Sequence, residues 1–515
     1  MKDLIDLVQI VTRPKLRSIE LIGDGHNGKS KLSIFYDKIV DGQFLDDDAA
    51  AQALYQANKQ SPMYKKLKKN LKDRLINALF LIDVKLASYT DRQKAYYECY
   101  KDWAAAKILF GKNAYGVALN IATKLLKITR KYEFTELTVD ICHSLRLYHG
   151  TIDGDYSKYE LYNQELKENE TIWILENRAE EYYIDLSIGT IHSKASKADF
   201  QTKAKGYHAA LEEALQTYNT YHLHLYGRLI ESYIHSSVND QPRILDVCNR
   251  AIAFFNEKEY VAAVPLQVFN YQKAVCQAQL HQFPEAIQTL DQCMQYVSKG
   301  HFNWYKAQEL ILIVHLHQGE YDQGSILLQS VLSSENYKNL PDHIKESWRI
   351  ADAYLSALKK MNKLKSTTNG IPTLDKFKLS KFLNEMPLYS KDKQGLNLHI
   401  LILEMLFYLI DKDHGKLQAR AEAIDKYRIR YLRNEGLKRS NYLFKLFLAI
   451  PKAQFDKTEI LQRTQADFQL LCATPIALSK QTLEVEILPY ETLWSFVLEL
   501  MELWQGERLR SKSRK

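Results

Sequence analysis

The chain has 515 residues, 46% hydrophobic and 26% charged, the balance of a folded globular protein rather than a disordered or low-complexity one. Only 19 glycines and 11 prolines punctuate it, too few for the many turns of a strand-rich fold, so long helices with short connections are expected. The formal net charge of +8 is mild over this length and demands no polyanionic partner by itself.

Six cysteines, Cys99, Cys142, Cys248, Cys276, Cys293 and Cys472, form no CxxC pair. They fall on apolar faces of predicted helices, where a thiol acts as a small hydrophobe, and a reducing, cytoplasmic setting is expected. The start of the chain carries Asp3 and Asp6 inside its apolar stretch and does not read as a signal peptide. No run approaches the ~18 apolar residues of a membrane span. The longest candidate, Leu398 to Ile410, contains His399 and Glu404 and reads as a buried helix.

In chain order, residues 1–11 read as a short helix. Residues 12–30 are irregular, with a candidate strand at Arg17–Ile22 and a polar loop from Gly23 to Ser30. Helices follow at about 31–40, 46–57 and 62–83. Asp46, Asp47 and Asp48 supply an N-cap and first-turn acids to the second of these. Leu67, Leu71, Leu75 and Leu79, with Ile76, Phe80 and Ile82 beside them, form an amphipathic stripe on the third. From residue 90 helix pairs succeed one another, with units at about 90–132, 133–170, 171–219, 220–257, 260–298, 301–334 and 341–363. Turn formers concentrate at 365–373. Helices resume at about 375–385, 393–411, 414–434, 438–449, 456–472 and 490–505. Residues 482–488 alternate apolar and polar as a strand would. The basic end, 507–515, reads as a disordered tail. The resulting division is an N-terminal helical domain (1–89), helical repeats (90–364), a linker (365–373) and C-terminal helical repeats (374–506).

The pairs share a pattern. Phe283 is followed by Ala286, Leu290 and Cys293, with Ala274 on the preceding helix. Gly319-Glu-Tyr321 is followed by Gly324, Leu328 and Val331, with Leu312 before it. Tyr115 is followed by Ala118, Ala122 and Leu125, with Ala106 before it. A bulky aromatic opens each second helix, and a small residue three positions on lets its partner approach. Each pair has an apolar face it cannot bury alone, so pairs must stack. This pattern resembles the tetratricopeptide repeat family, best over 260–334 and less well over 97–132; its Trp–Leu–Gly and closing Pro signals are mostly missing, and the repeats are longer than usual. The resemblance implies an all-α fold, a curved solenoid of antiparallel helix hairpins whose concave face grips a peptide, a helix or another domain. The first helices of the pairs, such as Phe302–His317, are then the expected inner lining.

Several constellations bear on chemistry. Gly23 to Ser30 satisfies the phosphate-loop pattern GxxxxGK[ST], in which Lys29 would reach phosphates and Ser30 would hold magnesium. Such a loop needs a parallel sheet around it, and a second strand ending at Asp83 would fall on the leucine stripe of a helix, so a polar surface loop is the expected reading. The 46–57 and 62–83 helices, joined by a turn at Lys59–Pro62, have the order of a helix–turn–helix, and the second carries Lys65, Lys66, Lys68, Lys69, Lys72 and Arg74. A further basic stretch holds Arg420, Lys426, Arg428, Arg430 and Arg433, suited to an acidic peptide or phosphate. A solvated helix face is the expected reading of each stretch. No zinc spacing, HExxH or nucleophile elbow occurs, so neither a metal, a cofactor nor an enzyme activity is expected. The leading expectation is a scaffold that captures a protein or peptide partner. The alternative is a nucleic-acid-binding regulator that reads DNA through residues 31–83. A nucleotide-dependent switch stands third.

Overall fold

The computed structural model describes residues 1–12, 30–80, 90–192, 197–364, 377–386, 396–432, 437–474 and 486–512. Among these residues there are 22 α-helices and no strand, so the fold is all-α. Contacts divide the chain into two compact units, Met1–Leu175 with Glu259–Val261, and Glu176–Lys258 with Ala262–Lys515.

The first unit opens with four helices, α1 (Lys2–Thr12), α2 (Lys31–Val40), α3 (Asp47–Tyr55) and α4 (Pro62–Leu79). Local chemistry sets their ends. The Ser33 amide donates to Ser30 Oγ at the start of α2, and the Ala49 amide donates to Asp46 at the start of α3. Gln56 ends α3 in the left-handed region (φ 52°), and Pro62 occupies the first turn of α4. Leu67, Leu71 and Leu75 are buried with Tyr64, Phe35, Leu4 and Val8, as the leucine stripe predicts. Ile76 and Phe80, expected beside that stripe, are exposed instead.

Helices α5 (Asp91–Gly111), α6 (Tyr115–Tyr132) and α7 (Thr135–Tyr148) follow. A capping box between Thr90 and Gln93 starts α5. The small residues Ala106, Ala118 and Ala122 are fully buried, where the repeat pattern put them. The next predicted break, near residue 170, does not exist: α8 (Tyr156–His192) is one helix of 37 residues. No proline interrupts it and its first glycine is Gly189, so nothing in the chain stops the helix earlier. The boundary between the units falls inside it.

The second unit continues with α9 (Lys197–Thr217), α10 (Tyr221–Ser236), α11 (Gln241–Asn256), α12 (Ala263–Gln279), α13 (Phe283–Met294), α14 (Phe302–Gln318), α15 (Tyr321–Leu332) and α16 (Asp342–Lys360). Each packs against its successor. The repeat residues again sit at the seams: Ala274, Ala286, Leu290, Cys293, Leu312, Leu328 and Val331 are buried. A Cβ on Gly324 would stand 3.2 Å from both Leu312 Cδ1 and Leu316 Cδ2, so its lack of a side chain lets α15 approach α14 closely. Tyrosines fill other seams, as with Tyr182 and Tyr207, whose rings stack at 4.0 Å while Tyr207 donates to Asp185.

Then come α17 (Leu379–Glu385), α18 (Leu396–Ile410), α19 (His414–Tyr431), α20 (Lys438–Lys452), α21 (Lys457–Ala473) and α22 (Tyr490–Lys512). Helix α18 is buried with its His399 and Glu404, as expected. Helix α22 turns back onto α18 and α20, and its Phe496 meets Tyr321 of α15. It runs on to Lys512, into the stretch read as a disordered tail. The candidate strand at Arg17–Ile22, the linker 365–373 and the greater part of 482–488 lie outside the described residues; Glu486–Leu488 are not in a strand.

Gly319 closes α14 in the left-handed region (φ 77°), and the next amide, of Glu320, returns to His315 O. Nothing crowds the space a Cβ would fill. Gly319→Ala should therefore cost only the backbone term, about 1 kcal/mol, and Gly319→Asn less. Denaturant midpoints for the two variants check this; equal midpoints for Ala and wild type would remove the requirement for a left-handed residue.

Candidate functional site

One guanidinium joins the end of α21 to its neighbours. Arg439, in the first turn of α20, is buried. Its Nε donates to Glu486 Oε1 (2.5 Å) and its Nη2 to Glu486 Oε2 (3.1 Å) and Glu491 Oε2 (2.7 Å). Its Nη1 donates to the carbonyls of Leu471 (2.8 Å) and Thr474 (2.6 Å) at the end of α21, the Leu471 carbonyl also accepting the Thr474 amide. The Tyr490 amide adds a donor to Glu486 Oε2, and His317 Nε2 donates to the Glu486 carbonyl at 2.6 Å. Burial holds His317 below the ordinary histidine pKa, so it acts as a neutral donor. Burial also opposes the charge on Arg439, but the two carboxylates outweigh it and lift its pKa further above the ordinary value.

This clasp fixes α20, the end of α21 and the start of α22 together, and between α21 and α22 it leaves an open groove of about 280 Å³. Trp494, Thr464, Phe468 and Leu498 line it with Leu461, Gln462 and Gln465. The Lys457–Glu502 ion pair (2.6 Å) also ties α21 to α22. Arg463, paired with Glu459, is the one charged residue exposed on α21 between Leu461 and Ala473. The other exposed positions there are Leu461, Gln462, Gln465, Ala466, Gln469, Leu470, Cys472 and Ala473. Sequence reasoning missed this surface. Its signal, a run of glutamine, alanine and leucine at helical spacing, is faint until the residues beneath it are known.

The expected inner lining is not open. In α14 the residues Trp304, Tyr305, Ala307, Leu316 and all of Leu310–Val314 are buried. A helix apolar on every side belongs to a core, not to a groove.

The basic residues singled out in the sequence separate into distinct groups. Lys68 faces inward: its Nζ lies 2.7 Å from Asp47 Oδ1, which also accepts from Tyr64 Oη (2.7 Å), while Asp47 Oδ2 takes the Met1 ammonium (3.0 Å). Burial alone would raise the Asp47 pKa, but these donors prevail and hold it well below the usual carboxylate range. Lys72 reaches Asp3 at 3.4 Å. Lys65, Lys66 and Lys69 are exposed, and Lys65 bonds the neutral Gln60 (2.6 Å). On α19, Arg420 is bound to Glu404 (3.0 Å) and Arg428 to Asp425. Lys426 and Arg430 are exposed one turn apart, and Arg433 lies outside the described residues. The phosphate-loop residues through Lys29 lie outside them too, and the Ser30 hydroxyl serves as a helix cap. Among the described residues no three or more His, Cys, Asp or Glu gather as metal ligands would.

Five cysteines are buried, but Cys472 is exposed, against the expectation that all six sit on apolar faces. It lies on the flank of α21 that carries Leu461, Gln465 and Phe468.

No protein-family model matches the chain, and no curated protein and no solved structure matches it either.

Arg439→Met should cost ~3–5 kcal/mol, because it leaves Glu486 buried without its counter-charge, and adding Glu486→Gln should recover part of the loss. A denaturation midpoint for R439M close to wild type would show that the clasp does not hold these helices. Asp47→Asn should cost about 2 kcal/mol at neutral pH through lost charge-assisted hydrogen bonds. The folded-state pKa of Asp47 is depressed, so its stabilisation is present above the unfolded value near 3.8 and lost as pH falls through the folded one. The gap between wild type and D47N should thus narrow in melting curves taken below pH ~4, and a constant gap would contradict the pairing.

Proposed function

We propose that this chain is a non-enzymatic, tetratricopeptide-like helical-repeat scaffold that captures a helical segment of a protein partner, and that the groove between α21 and α22 receives it. The observation that carries the reading is the uncharged face of α21 beside an apolar groove, in a protein whose composition is one-quarter charged. Such a face cannot recognise phosphate or a charged peptide by complementarity. It can accept the apolar stripe of an amphipathic helix, with Gln462 and Gln465 hydrogen bonding at the rim. The repeat resemblance is supported by the burial of small residues at matching positions in α6, α13 and α15. Capture on α14, the first helix singled out in the sequence, would require displacing the core around it, and the α21–α22 pair offers an exposed surface instead.

No described helix is long and apolar enough to cross a membrane. Six free cysteines fit a reducing, cytoplasmic setting.

Cys472 supplies the test. Burial pushes the thiols of Cys99, Cys142 and Cys276 up to about 12 and that of Cys293 to about 11, and Cys248 is raised too, so all five should resist alkylation in the folded state. Maleimide should add once, at Cys472. Amphipathic helices selected from a displayed library should slow that reaction, and Leu461→Glu with Gln465→Glu should abolish their binding while leaving the melting temperature unchanged. Binders that neither protect Cys472 nor respond to the substitutions would place capture elsewhere and overturn the groove.

A further inference from the structure

We propose that the outward face of α4 docks on duplex DNA, with Lys65, Lys66 and Lys69 on backbone phosphates and Asn70 towards the base edges. The inference is independent of the α21–α22 groove and rests on how the N-terminal helices distribute their charge. The inner face of α4, Tyr64, Leu67, Leu71, Leu75 and Ala78, is buried in the core shared with α1, α2 and α3. On its flank Lys68 and Lys72 are held by Asp47 and Asp3. The polar residues that remain outward on the first two turns are Lys65, Lys66, Lys69 and Asn70, all exposed, beside the exposed Pro62 and Met63.

Those lysines are not neutralised locally. Lys66 and Lys69 have no ion-pair partner among the described residues, and Lys65 bonds only the neutral Gln60. The acids that precede them in the chain are already engaged. Asp46 caps α3, Asp47 takes Lys68, and Asp48 takes Lys59 at 2.9 Å. Asp47 is thereby drawn inward and Asp48 is offset by Lys59, Asp46 staying exposed, while three cations stand without an ion pair among the described residues on one face of α4.

The frame suits a duplex. A nine-residue α3, a turn over 56–61 and an 18-residue α4 begun by Pro62 follow the order of a helix–turn–helix. A helix is about 10–12 Å across with its side chains, and the major groove is about 12 Å wide. Asp73 is the one acid on the outward face, and it lies towards the C-terminal half of α4. Docking by the N-terminal half, the end that recognition helices use, keeps it away from the phosphates.

Anisotropy of a fluorescein-labelled, mixed-sequence duplex of about 20 base pairs, two helical turns, tests this on the full chain. Wild type should bind, weakening as salt rises. Lys65→Gln, Lys66→Gln and Lys69→Gln together should weaken binding at least ~10-fold and lower the salt slope by roughly 2–3, one unit per lost phosphate contact. The positions are exposed, so the melting temperature should not change. Lys416→Gln, Lys426→Gln and Arg430→Gln on α19 remove the same charge and should leave binding intact. Equal loss in the two triple variants, no loss in the α4 variant, or equal affinity of wild type for heparin or for a single strand of the same length would each overturn docking of α4 on a duplex.

Discussion

The arrangement of the C-terminal helices depends on the desolvation of one guanidinium. A buried arginine is tolerable only when its donors all find acceptors, and Arg439 meets that condition by drawing on two carboxylates and two helix-terminal carbonyls. Those acceptors come from separate elements, so satisfying the charge forces the end of α21 and the start of α22 to converge on α20. The planar fork suits this role, since it offers directed donors on several sides, which an ammonium does not. The groove between α21 and α22 is thus a by-product of satisfying a charge, shaped by where Leu471, Thr474, Glu486 and Glu491 must lie.

The same accounting governs the N-terminal bundle with the opposite sign. There Asp47 is the half-buried charge and draws Lys68, Tyr64 and the Met1 ammonium around it. The consequence for the surface is asymmetric. Each acid that turns inward removes a negative charge from the outside, while Lys65, Lys66 and Lys69 stay exposed. Net charge over the whole chain, a mild +8, conceals this separation because it sums over groups that neutralise each other within a few ångströms.

How far the sequence could be read follows from the range of the interactions involved. Periodicity is local, so the leucine stripe of α4, the aromatic–small pattern of α6, α13 and α15, and the cap at Asp46 were legible. The continuity of α8 was missed because the repeat length was imposed on a stretch with no stop signal of its own. The exposure of Cys472, Ile76 and Phe80 was missed because apolar character on a helix does not say which neighbour covers it. Lys66 and Lys68 look alike in the chain, and only Asp47, 21 residues from Lys68, tells them apart. The Arg439 clasp was illegible for the same reason: Glu486 and Glu491 lie 47 and 52 residues away.

The burial of α14 changes what a repeat fold is expected to offer. Stacking helix pairs exposes a concave face only when the first helices keep a polar stripe, and α14 has none over Leu310–Val314. Its neighbours cover it: Leu310, Ile311, Ile313 and Val314 share a core with Ala274 and Ala278 of α12 and Ala286 and Leu290 of α13. A helix covered by its own neighbours contributes stability in place of a surface for recognition. Among the described residues α21 is covered less completely: Leu461, Gln462, Gln465 and Leu470 are exposed on it, the surface the proposed capture would use.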